Sequence, residues 1–558
     1  MKFFASMLLV FTALTAVMTY PQALHLHDGV HDDGDPLLNA WTLAWVAHQL
    51  PRAPARLFDA NIFYPERKTL AFTETLLLPG VVAAPLHWVG VAPLLVHNLV
   101  LLSGFVVSGA GTALLVRSLT GNVAAAILAG IVFAFIPYRI DHLPHLQLQQ
   151  TQCLPLALWA FHRLLASGRI ANGVWFGLFV AGQVLSCMYY GLFLVPYLGI
   201  VCGTMLIADR TMVQRRLVAL AAGGLVAIVA VLPLARAYLS AGQIVGERGR
   251  AEVTDGSAHV RNYLAPPEQN LLYGDLFERF RDNERRLFPG FVAIALAGAA
   301  FWPRKHENTK STKKAFVLSW FRGDPRGAYL FGLLVAFDIS LGFNGFTYPL
   351  LYDYIRPFRG LRIPARMGLL VAFSLAVLAG YGVARLTDAI RSPSARRALV
   401  VFLGFALLAE YASKPLTLQI IPTGPSEAYA DMAKDLGDSP TATIFEYPPS
   451  LLHDPTYMYY STFHWQNLVN GYAGFFPQWY GRLTLAMERF PDDGSVATVK
   501  THGARYILVH GERLIGNRYR RLTYQLDAWP GLTLVSRRPS ERQGQHGEIS
   551  VYRVSYTQ

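Results

Sequence analysis

Charge is scarce in this chain and cysteine nearly missing. Of 558 residues, 15% are Asp, Glu, Lys or Arg and three are Cys, against about 25% charged residues in a soluble globular protein. Cys153, Cys187 and Cys202 all lie in apolar runs, which excludes a secreted disulfide framework and reads as small buried hydrophobes rather than metal ligands. Also missing are a phosphate-cradling P-loop, a GxGxxG turn after a strand, an HExxH zinc motif and a GxSxG nucleophile elbow. ATP-driven transport and serine-hydrolase chemistry therefore have no support. What is abundant is apolar: 53% AVILMFWYC, with 47 glycines besides, is too much for a soluble core alone. The 49 Lys+Arg exceed the 36 Asp+Glu by a formal +13, and a chain both basic and greasy is neither disordered nor a convincing nucleic-acid binder.

Apolar runs long enough for a hydrocarbon core of about 30 Å predict eleven crossings, at 3–20, 93–116, 122–138, 152–166, 172–187, 189–208, 217–238, 288–303, 327–343, 366–385 and 398–413. A twelfth run, Thr75 to Val91, is interrupted by Pro79 and Pro85 and reads as interfacial or re-entrant. With the N-terminus inside, Lys2, Arg117, Arg163, Arg169, the stretch Asp209 to Arg216, Arg304 to Arg326 and Arg385 to Arg397 face the cytoplasm. They carry only Asp209, Glu307, Asp324 and Asp388 as acids, as the positive-inside rule requires. The first run also fits a signal peptide, but no clean small-x-small site follows it, so an uncleaved helix is favoured. The chain thus reads as a polytopic α-helical membrane protein. Residues 1–413 form a membrane domain with external loops 21–92, 139–151, 239–287 and 343–365. Residues 414–558 form an extracytoplasmic α/β domain, hinged at Pro415 and Pro422 to Pro425, with strand-like runs at Ala442 to Tyr447, Tyr506 to His510 and Ser550 to Val554.

Three polar constellations fall outside the membrane. Asp32, Asp33 and Asp35 crowd the first external loop, where like charges push at least one carboxyl upward. Asp35 before Pro36 also fits a helix start. The second holds Arg139, Asp141, His142, His145, Gln147 and Gln149; His142 and His145 could ligate a metal if helical, but Pro144 intervenes and hydrogen bonding to a polar ligand is preferred. The third sets Arg356, Arg359, Arg362 and Arg366 outward, against the positive-inside trend. Guanidinium forks suit phosphate, lipid-headgroup anchoring being the plainer alternative. Ionisable residues within the spans are few, with Asp338, Glu410 and Arg236 toward the outer ends of their helices, and Gly199 with Gly203 has the GxxxG spacing of packed membrane helices.

HDDGDPLLNAWTLAW at 31–45, LFDANIFYP at 57–65, FAFIPYRIDHLPHLQ at 133–147, FRGLRIPARMGLL at 358–370 and LVNGYAGFFPQWY at 468–480, together with this layout, resemble the bacterial GT-C glycosyltransferases with long periplasmic tails. The resemblance implies a GT-C-like fold of about eleven transmembrane helices in the bacterial inner membrane. It further implies hexosyl or pentosyl transfer from a polyprenyl-phosphate-linked donor to an envelope glycan, lipid or protein acceptor, without nucleic acid. The family's acidic first-loop motif falls on Asp33 and Asp35, with Asp32 as rival, and these become the catalytic candidates. Arg139, His142 and His145 would touch sugar or phosphate, and Arg359, Arg362 and Arg366 the departing phosphate. A divalent cation, Mg or Mn, is a possible cofactor whose ligands are left unknown. In the tail, Tyr472, Phe475, Phe476, Trp479 and Tyr480 suit sugar stacking or a domain core, and Glu446 an acceptor entrance or a strand end. Against this stand a lipid-linked glycan flippase working through Asp338, Glu410 and Arg236, and a non-catalytic component of an envelope-glycan assembly.

Overall fold

The structure, a computed structural model, describes residues 2–208, 213–302, 324–422, 424–437, 441–542 and 545–556. Much of the basic sequence behind the expected orientation, at 209–212 and 303–323, lies outside them. The membrane half begins with helices α1 (Lys2–Met18), α2 (Asp35–Gln49), α3 (Leu77–Trp88), α4 (Pro93–Thr120), α5 (Val123–Phe135), α6 (Pro137–Asp141) and α7 (Leu146–Gln149). It continues with α8 (Cys153–Ser167), α9 (Ile170–Ser186), α10 (Met188–Ala208) and α11 (Val213–Val245), and later with helices Phe291–Ala299, Pro325–Ser340, Gly368–Ala389 and Pro393–Tyr411. Each of the eleven apolar runs carries a helix. Among the described residues, five stretches are long and apolar enough to cross a membrane: Pro93–Thr120, Val123–Asp141, Met188–Ile207, Gln214–Val245 and Pro364–Ala389. α3, by contrast, has 12 residues, about 18 Å of helix, well short of a hydrocarbon core.

Small residues set the closest helix contacts, in a different place from the one expected. Gly199 and Gly203 have no atom within 4 Å of where a Cβ would stand, so this GxxxG pair packs against nothing. The close approach is between α9 and α11: a Cβ at Gly173 would strike the Ala219 carbonyl oxygen, one at Gly177 that of Gly223, and one at Gly223 that of Gly173. Phe11 of α1, fully buried, fills a slot that exists because Gly109 and Gly130 lack side chains. The intramembrane acids are also accounted for. Asp338 accepts from the Phe346 and Thr347 amides at 3.0 and 2.7 Å, and Glu410 from those of Phe291 and Val292 at 2.7 and 3.0 Å. Both carboxylates therefore satisfy helix N-terminal N–H groups, which gives a structural role to two of the three residues a flippase reading invokes.

Toward the C-terminus a mixed five-stranded sheet runs in the order β4-β3-β5-β7-β6. Its strands are β3 (Thr443–Tyr447), β4 (Asn467–Leu468), β5 (Tyr506–His510), β6 (Leu532–Arg542) and β7 (Gln545–Val554). β3 is parallel to β4 and β5, while β7 is antiparallel to β5 and β6. The connecting segment is tied down rather than loose: β1 (Gly29–Val30) pairs with β2 (Gln419–Ile420), and the Leu416 and Ile421 amides donate to the carbonyls of Tyr20 and Asp28. The first external loop also docks on the sheet edge, since the Leu468 amide donates to Asn61 O, and those of Phe63 and Tyr64 to Asn470 O and Leu468 O. Two segments distant in sequence, 57–65 and 468–480, thereby become one structural unit.

Candidate active site

α2 opens at Asp35 with Pro36 in its first turn and Gly34 as the preceding cap residue, and no side chain caps it there. The turn before it is closed by Asp32, whose Oδ1 accepts from the Gly34 amide at 2.8 Å, a turn contact typical of short acidic side chains. Asp35 is thus free of the capping role its sequence allowed. Its Oδ1 accepts a hydrogen bond from the Tyr472 hydroxyl at 3.0 Å, and its Oδ2 lies 3.2 Å from His145 Nε2. Asp33 is a half-buried member of the same turn.

The loop carrying His145 is shaped by proline. Pro137 ends α5 and starts α6, and Pro144 separates α6 from α7, because proline offers no N–H and fits only a first helical turn. His142 and His145 therefore do not share a helix, contrary to the metal-pair geometry. Their rings nevertheless stand 5.5 Å apart, and Asn39, one turn along α2 from Asp35, holds the loop through the Pro144 carbonyl. Both imidazoles point at Glu284, His142 Nε2 at 3.6 Å and His145 Nε2 at 3.8 Å. Glu284 also pairs with Arg366 at 3.0 Å, and Arg366 lies over the Tyr189 ring.

Tyr189 is itself positioned. Half-buried Glu74 accepts from the Met188 and Tyr189 amides at 2.8 and 3.1 Å, and the Tyr189 hydroxyl accepts from the Arg362 amide at 2.8 Å. The Arg362 guanidinium is exposed and makes no hydrogen bond or ion pair to another described residue, while its charge is felt by Asp35 and His145. Arg366 Nε is buried without a partner.

Electrostatics follow from these neighbours. Burial raises the Asp35 carboxyl above the usual carboxylate range, against the Tyr472 hydrogen bond and the Arg366 charge that work to lower it. Burial lowers His145 to about 3, helped by Arg366, so its imidazole is neutral near pH 7. Burial would raise Glu284, but Arg366 with His142 and His145 outweighs it and holds the carboxyl well below its ordinary value. Glu284 is the ionised hub of the cluster, whereas burial raises the proton affinity of Asp35 and also of Asp32 and Asp141.

Not every expected residue meets here. Arg139 is fully buried; its guanidinium donates to Gln149 Oε1 and to the Gln149 carbonyl and stacks on Phe105. Arg359 turns to the Tyr352 and Asp353 carbonyls at the end of helix Thr347–Tyr354 and to Glu247. Glu446 is no entrance residue: fully buried, it sits 2.7 Å from His510 Nε2, which on its other side meets Glu512. Glu284, Glu74 and Tyr189 were not anticipated, and Tyr472 was anticipated only as a ring. The single trace of Glu284 is its backbone, a left-handed φ of 62°, the kind of conformation that persists where surroundings impose it.

The donor set does not fit a metal. Asp35 and Glu284 are each engaged by hydrogen-bond donors or cations, and among the described residues no three His, Cys, Asp or Glu side chains converge on a point where an ion could sit.

Helical bundle, loop cluster and C-terminal sheet together define the class: this is a membrane protein with a GT-C-like glycosyltransferase fold. In particular, it superposes along its whole length (100%) on the arabinofuranosyltransferase AftD from Mycobacteria, with a TM-score of 0.63 and 15% identity. The chain spans 42% of that protein's length. It is also similar to the oligosaccharyltransferase AglB from Archaeoglobus fulgidus, solved with an inhibitory peptide and a dolichol-phosphate (TM-score 0.50, 13% identity, 98% of this chain and 74% of that one). ArnT from Cupriavidus metallidurans is similar over 99% of both chains, at TM-score 0.50 and 12% identity. No family model and no curated protein matches the sequence.

Proposed function

We propose that this protein is a glycosyltransferase that moves a sugar from a polyprenyl-phosphate-linked donor onto an acceptor hydroxyl of an envelope glycan, lipid or protein at the outer face of the inner membrane. The observation that carries the reading is half-buried Asp35, held between the Tyr472 hydroxyl and His145 beside the Glu284–Arg366 pair, with the exposed Arg362 guanidinium near enough for its charge to be felt there. Asp35 is the base: it takes the acceptor proton as the acceptor oxygen bonds to the anomeric carbon, and its raised proton affinity suits that task near neutral pH. The anomeric C–O bond breaks toward phosphate, whose growing charge meets Arg362 and the rim of Arg366. Neutral His145 orients Asp35 through Oδ2, and Glu284 keeps Arg366 and both imidazoles in register. No step runs through a cation, although a bound Mg or Mn would supply further charge to the phosphate. The dolichol-phosphate held by AglB, a protein of similar fold, supports a lipid-phosphate donor.

The test is reconstitution in vesicles with decaprenyl-phosphate-linked pentose and hexose donors, following sugar transfer to added envelope extract. Removing a general base costs about 10²–10⁴-fold, so Asp35→Asn should abolish measurable transfer while Asp32→Asn weakens it only through the turn. Undiminished transfer by Asp35→Asn refutes the assignment.

A further inference from the structure

Asp35 is already hydrogen-bonded as a base would be to its substrate, but by the protein itself. A carboxylate that deprotonates an alcohol must first accept that alcohol's O–H at ordinary hydrogen-bond distance, about 2.6–3.2 Å. Oδ1 holds such an O–H, that of Tyr472, at 3.0 Å, and Oδ2 faces His145 at 3.2 Å.

The two neighbours differ in how firmly they are held. His145 Nε2 also faces Glu284 at 3.8 Å, and its loop is anchored to α2 through Asn39. The Tyr472 side chain is half-buried, and its hydroxyl makes one hydrogen bond, the one to Asp35. Its backbone, in contrast, is fixed. Gly471 before it has no room for a Cβ against the Phe63 ring, the Tyr472 amide meets Met458 Sδ at 3.1 Å, and the Phe475 amide donates to the Phe72 carbonyl at 2.9 Å. A segment of the C-terminal half fixed by these contacts thus delivers one hydroxyl to Asp35, across 437 positions of sequence.

We infer that the Tyr472 hydroxyl holds the acceptor's place on Asp35 and keeps water from it until an acceptor hydroxyl displaces it. The inference rests on the transferase reading above and adds to it the location of the acceptor oxygen and the group that occupies its place before it binds. In transfer, the acceptor O–H gives its proton to Asp35, its oxygen bonds to the anomeric carbon, and the C–O electron pair leaves with the lipid phosphate. If water takes the same place, the identical bond changes release free sugar and lipid phosphate. Tyr472 cannot be consumed in this way while its backbone holds the oxygen against Asp35 rather than over the donor.

The experiment uses the full-length protein in micelles with decaprenyl-phosphate-linked pentose or hexose, first without and then with acceptor extract. Tyr472→Phe removes one oxygen and should raise acceptor-free sugar release about five-fold, the size of one net hydrogen bond, so that the ratio of hydrolysis to transfer rises. Because the lost hydrogen bond had lowered the Asp35 carboxyl, the acid limb of hydrolysis should also move to higher pH. Tyr472→Ala should raise the ratio further. A fall of hydrolysis and transfer in equal proportion in Tyr472→Phe means that the hydroxyl only supports the site, and an unchanged ratio means that it guards nothing; either overturns the inference while leaving the transferase reading intact. Failure of the wild-type protein to turn over any such donor overturns the reading itself, and the inference with it.

Discussion

Glu284 should be worth more to this protein than its place in a loop implies, and replacing it by Gln tests the cluster directly. The change keeps shape and hydrogen-bonding capacity but leaves Arg366, 5% exposed, facing two histidines with no anion at 3.0 Å. Removing one partner of a buried ion pair costs about 3–5 kcal/mol, and the 23% exposure of the Glu284 side chain puts the expectation at the lower end, about 3 kcal/mol. Since Glu284 is held below its ordinary value, its contribution is complete above the unfolded carboxylate range and is lost only as pH falls through the depressed value. The loss in Glu284→Gln should therefore be constant between pH 6 and 8. Arg366→Met in the Glu284→Gln background removes the stranded cation, so the double variant should be about 2 kcal/mol more stable than the sum of the single effects. Mixed-micelle denaturation of the four proteins measures this cycle. A single-variant cost under about 1 kcal/mol, the range of a surface pair, or strict additivity would refute the picture of Glu284 as a hub.

The rate of transfer should fall on acidification with an apparent pKa above the ordinary Asp value of about 3.9, because burial raises Asp35 and the base works only ionised; a limb at or below that value in a pH–rate profile contradicts this. His145, lowered to about 3, adds no second limb near neutrality. Chelation with EDTA should leave transfer within about two-fold, since Asp35 and Glu284 are engaged by the protein's own donors and cations; a loss restored by Mg or Mn shows that the site rearranges around a metal. Gly177→Ala should destabilise the α9–α11 contact by about 1–3 kcal/mol through collision with the Gly223 carbonyl, whereas Gly199→Ala meets open space and should cost nothing in the same denaturation assay.

Local signals were readable wherever one segment decides the outcome alone. Proline acts locally in both places where it interrupts an apolar run: α5 stops just before Pro137, inside the run expected to continue to 138, and the run with Pro79 and Pro85 holds a helix of 12 residues, although the crossing expected at 288–303 holds one of only nine. The glycine pairs show the limit: Gly199/Gly203 and Gly173/Gly177 have the same spacing, but only the second faces another backbone, and spacing carries no information about what lies opposite. The histidines show it again. His142 and His145 do meet, yet through a turn around Pro144, and what joins them is Glu284, which sits among Arg285 and Arg286 and looks like any solvated loop acid. Arg139 and Arg359 were indistinguishable in sequence from Arg362, because an arginine spent on carbonyls and one left exposed have the same letter and similar neighbours.

Composition and hydropathy alone were enough for the membrane character and the succession of helices, since partition between water and hydrocarbon depends on each segment's own side chains. What surrounds each carboxylate depended on long-range contacts: Asp32 closes a turn, and Asp35 acquires Tyr472 from the far end of the chain and His145 from a different loop. Proton affinity is set by burial and by the charges within a few ångströms, and the fold chooses those neighbours.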